Sequence, residues 1–135
     1  MKKNNVADEW ISYAESDFDV AKFGKVSVRV KNETLCFFCQ QVAEKSIKAV
    51  CVWYEIKFPK THNIEFLLKL LKKNNINIPK LVMESNRLSD YAVLTRYPGD
   101  HDEIKTKEYK AALKIAENCL KWAKSVTTKD KNKLL

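Results

Sequence analysis

Glycine and proline are the scarcest structural residues here: the 135-residue chain has two glycines and three prolines, well under the usual ~7% and ~5%. A β-sandwich or barrel needs a turn every ~8–12 residues, usually built with Gly, Asn or Pro. Two glycines and three prolines are too few for that many turns, so an all-β fold is not expected. Glycine-rich phosphate loops of the GxGxxG or GxxxxGK[ST] type are also absent, which removes Rossmann and P-loop nucleotide chemistry. No stretch approaches ~18 consecutive apolar residues, so no membrane span and no membrane partner are predicted. The opening segment, MKKNNVADEW, has lysines but no apolar run behind them and is unlike a signal peptide. A cytoplasmic location is expected.

Cysteine is modest and poorly placed for chemistry. Cys36 and Cys39 form a CxxC, but Phe37 and Phe38 lie between them in an apolar pattern. A redox pair wants an exposed, electropositive helix start. A zinc site wants four ligands, usually as two such pairs, whereas Cys51 and Cys119 stand alone. Four buried thiols are expected, with no metal and no cofactor.

What is present suits a single helical domain. The length fits one unit, and 45% hydrophobic residues can fill a core without staples. The formal charge of +8 predicts attraction to polyanions, or else a lysine-rich solvated surface. Five helical segments are legible and no internal repeat is. The first runs from about Ala7 to Phe23, with Trp10, Ala14, Asp17 and Ala21 on one stripe. Gly24 to Lys31 connects it to a second, Glu33 to Lys57, which is apolar around much of its circumference and therefore central. Pro59 is expected to end that helix. Thr61 or Asn63 caps a third, Asn63 to Lys73. A fourth has Pro79 in its first turn and reaches Val93. The fifth, Lys105 to Val126, aligns Ala112, Ile115, Cys119, Trp122 and Val126. The expected fold class is all-α: an up-and-down bundle of about five helices around a four-helix core, two of them long and antiparallel.

Three polar positions stand out. Asp17 lies on an apolar stripe and needs a partner; Gln40, Gln41, Lys45 and Lys48 are the candidates, and a pair that fixes helix register is the expected role. His62 stands at a helix entry, where capping or packing is expected. His101 lies in a loop with Tyr97, Pro98, Gly99 and Asp100, and Arg96 precedes it with four residues between. An imidazole moves protons near neutral pH, and a guanidinium offers fixed donors to phosphoryl oxygens. Together they suit metal-free phosphodiester chemistry.

Four ordered pieces of the chain resemble the HEPN family (higher eukaryotes and prokaryotes nucleotide-binding domain). Trp10 with Ala14-Glu15-Ser16-Asp17-Phe18 resembles its opening helix. Cys39-Gln40-Gln41-Val42-Ala43-Glu44-Lys45-Ser46-Ile47-Lys48-Ala49 resembles its AQQAAEKALKA signature. Thr61-His62-Asn63-Ile64 resembles its third-helix start, and Thr95-Arg96-Tyr97-Pro98 the segment before its last helix. The pieces run from residue 10 to the last helix, giving a bundle over 1–127 and a Lys-rich tail over 128–135.

The resemblance implies a homodimer with an RNA or nucleotide partner. In active relatives an arginine and a histidine separated by four to six residues form a composite ribonuclease site. Here that implies Arg96 and His101 as catalytic residues, with Tyr97, Lys45 and Lys48 as nucleotide or RNA contacts. Many relatives are toxins paired with a minimal nucleotidyltransferase antitoxin, a further implied partner. The chain departs from the active pattern in three ways. Tyr97 follows the arginine where a polar residue is common. Glu103 stands where one toxin subgroup has a modified tyrosine. Pro98-Gly99 and the acidic Asp100, Asp102 and Glu103 surround the histidine. A non-catalytic binding module that docks on a nucleotidyltransferase, and a purely structural dimer, therefore remain open alternatives.

Overall fold

The computed structural model describes residues 3–93 and 98–128, with only the backbone described at residues 3 and 4. Five α-helices order the described residues: α1 (Lys3–Phe23), α2 (Asn32–Trp53), α3 (Ile64–Lys73), α4 (Lys80–Met83) and α5 (Thr106–Thr127). A 3-10 turn, Gly24–Val26, follows α1, and a 3-10 helix, Glu84–Ala92, follows α4. No strand occurs among the described residues. The class is all-α, as the composition requires. Three helices are long where two were expected: α2 packs against both α1 and α5, and α1 also touches α5.

α2 is the central helix. Leu35, Cys36, Cys39, Val42, Ala43, Ile47, Ala49, Val50, Cys51 and Trp53 are all buried, so apolar contacts surround most of its length. α3 contributes Ile64, Leu67, Leu68 and Leu71 at the i, i+3, i+4, i+7 spacing of one helical face. α5 contributes Ala112, Ile115, Cys119 and Val126, while Trp122 is only half-buried at the edge of that stripe. Where α1 passes into α2 the approach is close: a Cβ on Gly24 would lie 2.6 Å from the buried Leu35 Cδ2.

Several boundaries differ from the sequence expectation, and α1 begins at Lys3, ahead of Ala7. α2 ends at Trp53, not Lys57. Glu55 takes a left-handed φ of 59°, Glu55 N–H donates to Val52 O and Ile56 N–H donates to Cys51 O. That is a Schellman stop, reached before Pro59 with a glutamate where glycine is usual. Asn75 (φ 63°) ends α3 in the same way, with Asn75 N–H to Lys72 O and Ile76 N–H to Leu71 O. Pro79 stands outside α4, at its N-cap. Beyond Met83 the α-helix expected to reach Val93 gives way to 3-10 geometry. Val82, Ser85 and Leu88 are buried and Tyr91 is half-buried, an inward spacing of three that suits three residues per turn.

All four cysteines are buried, and none is joined in a disulfide among the described residues. Burial pushes the Cys39, Cys51 and Cys119 thiols up to about 12, so the nucleophilic thiolate is scarce at neutral pH. In the folded protein near pH ~8 no thiol should react quickly with a thiol-specific reagent, whereas all four should react in denaturant. Rapid native labelling of Cys39 or Cys51 would contradict this packing.

Candidate functional site

The proton-transfer candidate, His101, sits on the segment between the 3-10 helix and α5, and hydrogen bonds fix the elements around it. Tyr91 donates its hydroxyl to the Glu108 carboxylate at the entry. At the exit, the N–H of Ile104 donates to Glu33 Oε2 (3.2 Å) and the O of Ile104 accepts from Asn32 Nδ2 (2.7 Å). Pro98-Gly99 makes the turn, and Gly99 has a φ of 90°, a backbone region that side chains with a Cβ rarely enter. One turn into α5, the buried Tyr109 hydroxyl donates to Ala21 O (2.6 Å) and locks that helix to the end of α1.

Within this frame His101 is half-exposed and its Nδ1 lies 3.1 Å from Asp102 O. Asp100, Asp102 and Glu103 are exposed around it. A cleft of about 450 Å³ opens beside the base of the segment, with Arg87, Tyr91, Glu103, Lys105, Lys107 and Glu108 in its wall. Arg87, Lys105 and Lys107 were not singled out by the sequence reading, because surface cations carry no local signal of which cleft they face. Arg96 and Tyr97 lie outside the described residues.

The two lysines expected to meet RNA or nucleotide are engaged inside the bundle. Lys45 Nζ is 2.6 Å from Asp17 Oδ2 and 5.9 Å from the Tyr13 ring centroid. Lys45 is thus the partner that Asp17 required, joining α1 to α2. Lys48 Nζ is 2.9 Å from Glu44 Oε2, with both side chains buried. It also stands over the rings of Trp10 (5.3 Å) and Phe58 (5.8 Å).

Glu44 organises a polar network that the sequence reading missed. Its side chain is 2% exposed, yet it accepts from Lys48 Nζ and from Gln40 Nε2 (3.2 Å). The Nδ1 of His62 lies 3.2 Å from each of its oxygens, although the His62 side chain is 78% exposed. Gln40 also donates to His62 O (3.2 Å) and accepts from Gln41 Nε2 (2.7 Å). His62 is therefore not the cap of α3: Asn63 is, accepting from Phe66 N–H (3.0 Å). The available signal was the run Gln40-Glu44-Lys48 at i, i+4, i+8 inside an apolar helix. Beyond His62 lies a polar cleft of about 660 Å³ whose wall includes Asn63, Glu65, Asn86 and Ser89. Among the described residues no three His, Cys, Asp or Glu side chains converge as a metal site would require.

Comparison with known proteins agrees with this architecture. The family model for the HEPN domain matches residues 7–126. Among solved structures, the chain is similar to the crystal structure of ST0689, an archaeal HEPN homologue, with a TM-score of 0.69 and 25% identity over 95% of this chain and 100% of that one. No curated protein matches the chain.

Removing one member of a buried ion pair strands the other. Glu44→Ala should therefore destabilise the fold by about 3–5 kcal/mol in urea titration, with Glu44→Gln intermediate because its amide oxygen still accepts from Lys48. A loss below about 1 kcal/mol for Glu44→Ala, the size found for an exposed pair, would contradict the network.

Proposed function

The chain belongs to the HEPN domain family, and from that premise we propose that it is a metal-independent endoribonuclease acting as a homodimer, with His101 and Arg96 as its chemical groups. The contact between His101 Nδ1 and Asp102 O carries this reading. A carbonyl oxygen only accepts, so the proton of the neutral imidazole belongs on Nδ1 and Nε2 keeps its lone pair. That nitrogen can take the proton of a ribose 2′-hydroxyl as its oxygen attacks the neighbouring phosphorus. The bond from phosphorus to the 5′-oxygen then breaks, and the leaving oxygen takes a proton from a protonated imidazole, for which the partner's copy of this loop is the source. The products are a 2′,3′-cyclic phosphate and a 5′-hydroxyl.

Arg96, with four residues between it and His101, supplies fixed donors to the crowded phosphoryl oxygens. Tyr97 offers a ring on which a base can stack. Arg87, Lys105 and Lys107 bring cations to the neighbouring cleft, where flanking phosphates would lie. Lys45 and Lys48 contribute less, since a phosphate at either would have to displace Asp17 or Glu44. A minimal nucleotidyltransferase antitoxin is the proposed protein partner.

A second reading rests on a specific observation. Three exposed carboxylates, Asp100, Asp102 and Glu103, flank His101 and would repel a phosphate, as suits a non-catalytic RNA- or nucleotide-binding module that docks on a nucleotidyltransferase.

Labelled RNA incubated with purified protein in EDTA separates the two. The nuclease reading expects cyclic-phosphate ends, lost by about 10²–10⁴-fold in His101→Ala and about 10²–10³-fold in Arg96→Ala, with the fold retained. Folded wild-type protein that binds RNA without cutting it would favour the binding module. Equal residual cleavage by all three proteins would reveal a contaminant and remove the nuclease assignment.

A further inference from the structure

α2 reaches across the bundle to the segment that carries His101. Its first two residues, Asn32 and Glu33, grip both polar groups of a single residue, Ile104, lying 72 and 71 positions further along the chain. The two grips have opposite chemistry: Asn32 must donate, to a carbonyl oxygen, and Glu33 must accept, from an N–H. Each side chain leaves one oxygen, Asn32 Oδ1 and Glu33 Oε1, buried without a hydrogen-bond partner. Buried unpaired acceptors are uncommon and point to a constraint beyond simple packing.

We infer that Asn32 and Glu33 are positioning residues for His101. This rests on the reading of His101 as a proton-transfer group. Only Asp102 and Glu103 separate His101 from Ile104, so fixing the Ile104 backbone leaves the imidazole little freedom to translate. The same short backbone supplies the Asp102 oxygen that holds Nδ1. The path therefore runs from the α2 side chains through Ile104 to Asp102, and from there to the direction of Nε2. Attachment of α5 does not need these grips, because Tyr109 ties α5 to Ala21 and Tyr91 binds Glu108. The Ile104 side chain is itself buried, so the segment has an apolar anchor too. What the polar grips add is orientation.

Substitutions that separate donor from acceptor test this in the full-length protein. RNA cleavage is read as kcat and KM, alongside melting temperature and amide hydrogen exchange over residues 101–104. Asn32→Asp sets an acceptor against the Ile104 carbonyl and Glu33→Ala removes the acceptor. Each should lower kcat about 10- to 100-fold with KM little changed, the scale of a misplaced reacting group. Glu33→Gln keeps an accepting oxygen and should keep most of kcat. Ile104 N–H should exchange faster in Glu33→Ala and at the wild-type rate in Glu33→Gln. Unchanged kcat in a folded Glu33→Ala protein would overturn the inference, and so would losses in all three variants that simply follow melting temperature. Should wild-type protein cut no RNA, the nuclease reading fails and the positioning claim that rests on it falls too. In an active protein, equal Ile104 exchange in all variants would overturn the positioning claim alone.

Discussion

A carboxylate with almost no access to water, Glu44 in the middle of α2, constrains much of what surrounds it. An ionised group in such a place is tolerated only when charge and hydrogen bonds replace its solvent. Lys48 and Gln40 from the same helix supply part of that replacement, and His62 from the segment before α3 meets both oxygens. Lys48 is in turn flanked by Trp10 of α1 and by Phe58, whose rings pack edge to face at 6.3 Å. One buried charge thus binds three parts of the chain into a single register. A slip of α2 against α1 would also break the Lys45–Asp17 pair, held from the next residue of α2.

The three regions of α2 do different work. Its first turn holds the His101 segment through Ile104, and its middle carries the buried charges. Its last turn is closed by the left-handed Glu55. This concentration follows from centrality: a helix covered on most sides meets every other long element, so its polar side chains become the natural ties between them. The His101 segment gains most from it, because short connections between helices otherwise have little to fix them.

The sequence revealed the fold where periodicity and scarcity agreed. Two glycines and an unbroken apolar pattern from Leu35 to Trp53 were enough to make α2 central, and the ordered HEPN-like pieces located the bundle. Asp17 was recognised as needing a partner because an acid on an apolar stripe is a visible conflict. Glu44 escaped notice because it lies within a helix whose outer face could have been its address; periodicity does not say which polar residues a neighbouring helix will cover. The stop at Glu55 was hidden for a similar reason, since left-handed glutamate has no compositional signal, and Pro59 offered a more obvious terminator. The 3-10 stretch from Glu84 to Ala92 reads as α-helix until tertiary packing selects its three-residue spacing. Grips such as Asn32 and Glu33 on Ile104 join residues some seventy positions apart, beyond any local pattern.

In the proposed reaction, fold and chemistry meet at one atom, Nε2 of His101. The bundle braces the segment through Ile104, the segment sets Asp102 O 3.1 Å from Nδ1, and in the proposed reaction that oxygen selects the imidazole nitrogen that keeps the proton. Long-range proton–nitrogen NMR of the imidazole rings at neutral pH tests this most directly, because it reports the tautomer without requiring substrate. The account predicts that neutral His101 carries its proton on Nδ1, leaving Nε2 free to act as a base. A neutral His101 ring protonated on Nε2 instead would hold its lone pair on Nδ1, against Asp102 O, and would contradict the assignment.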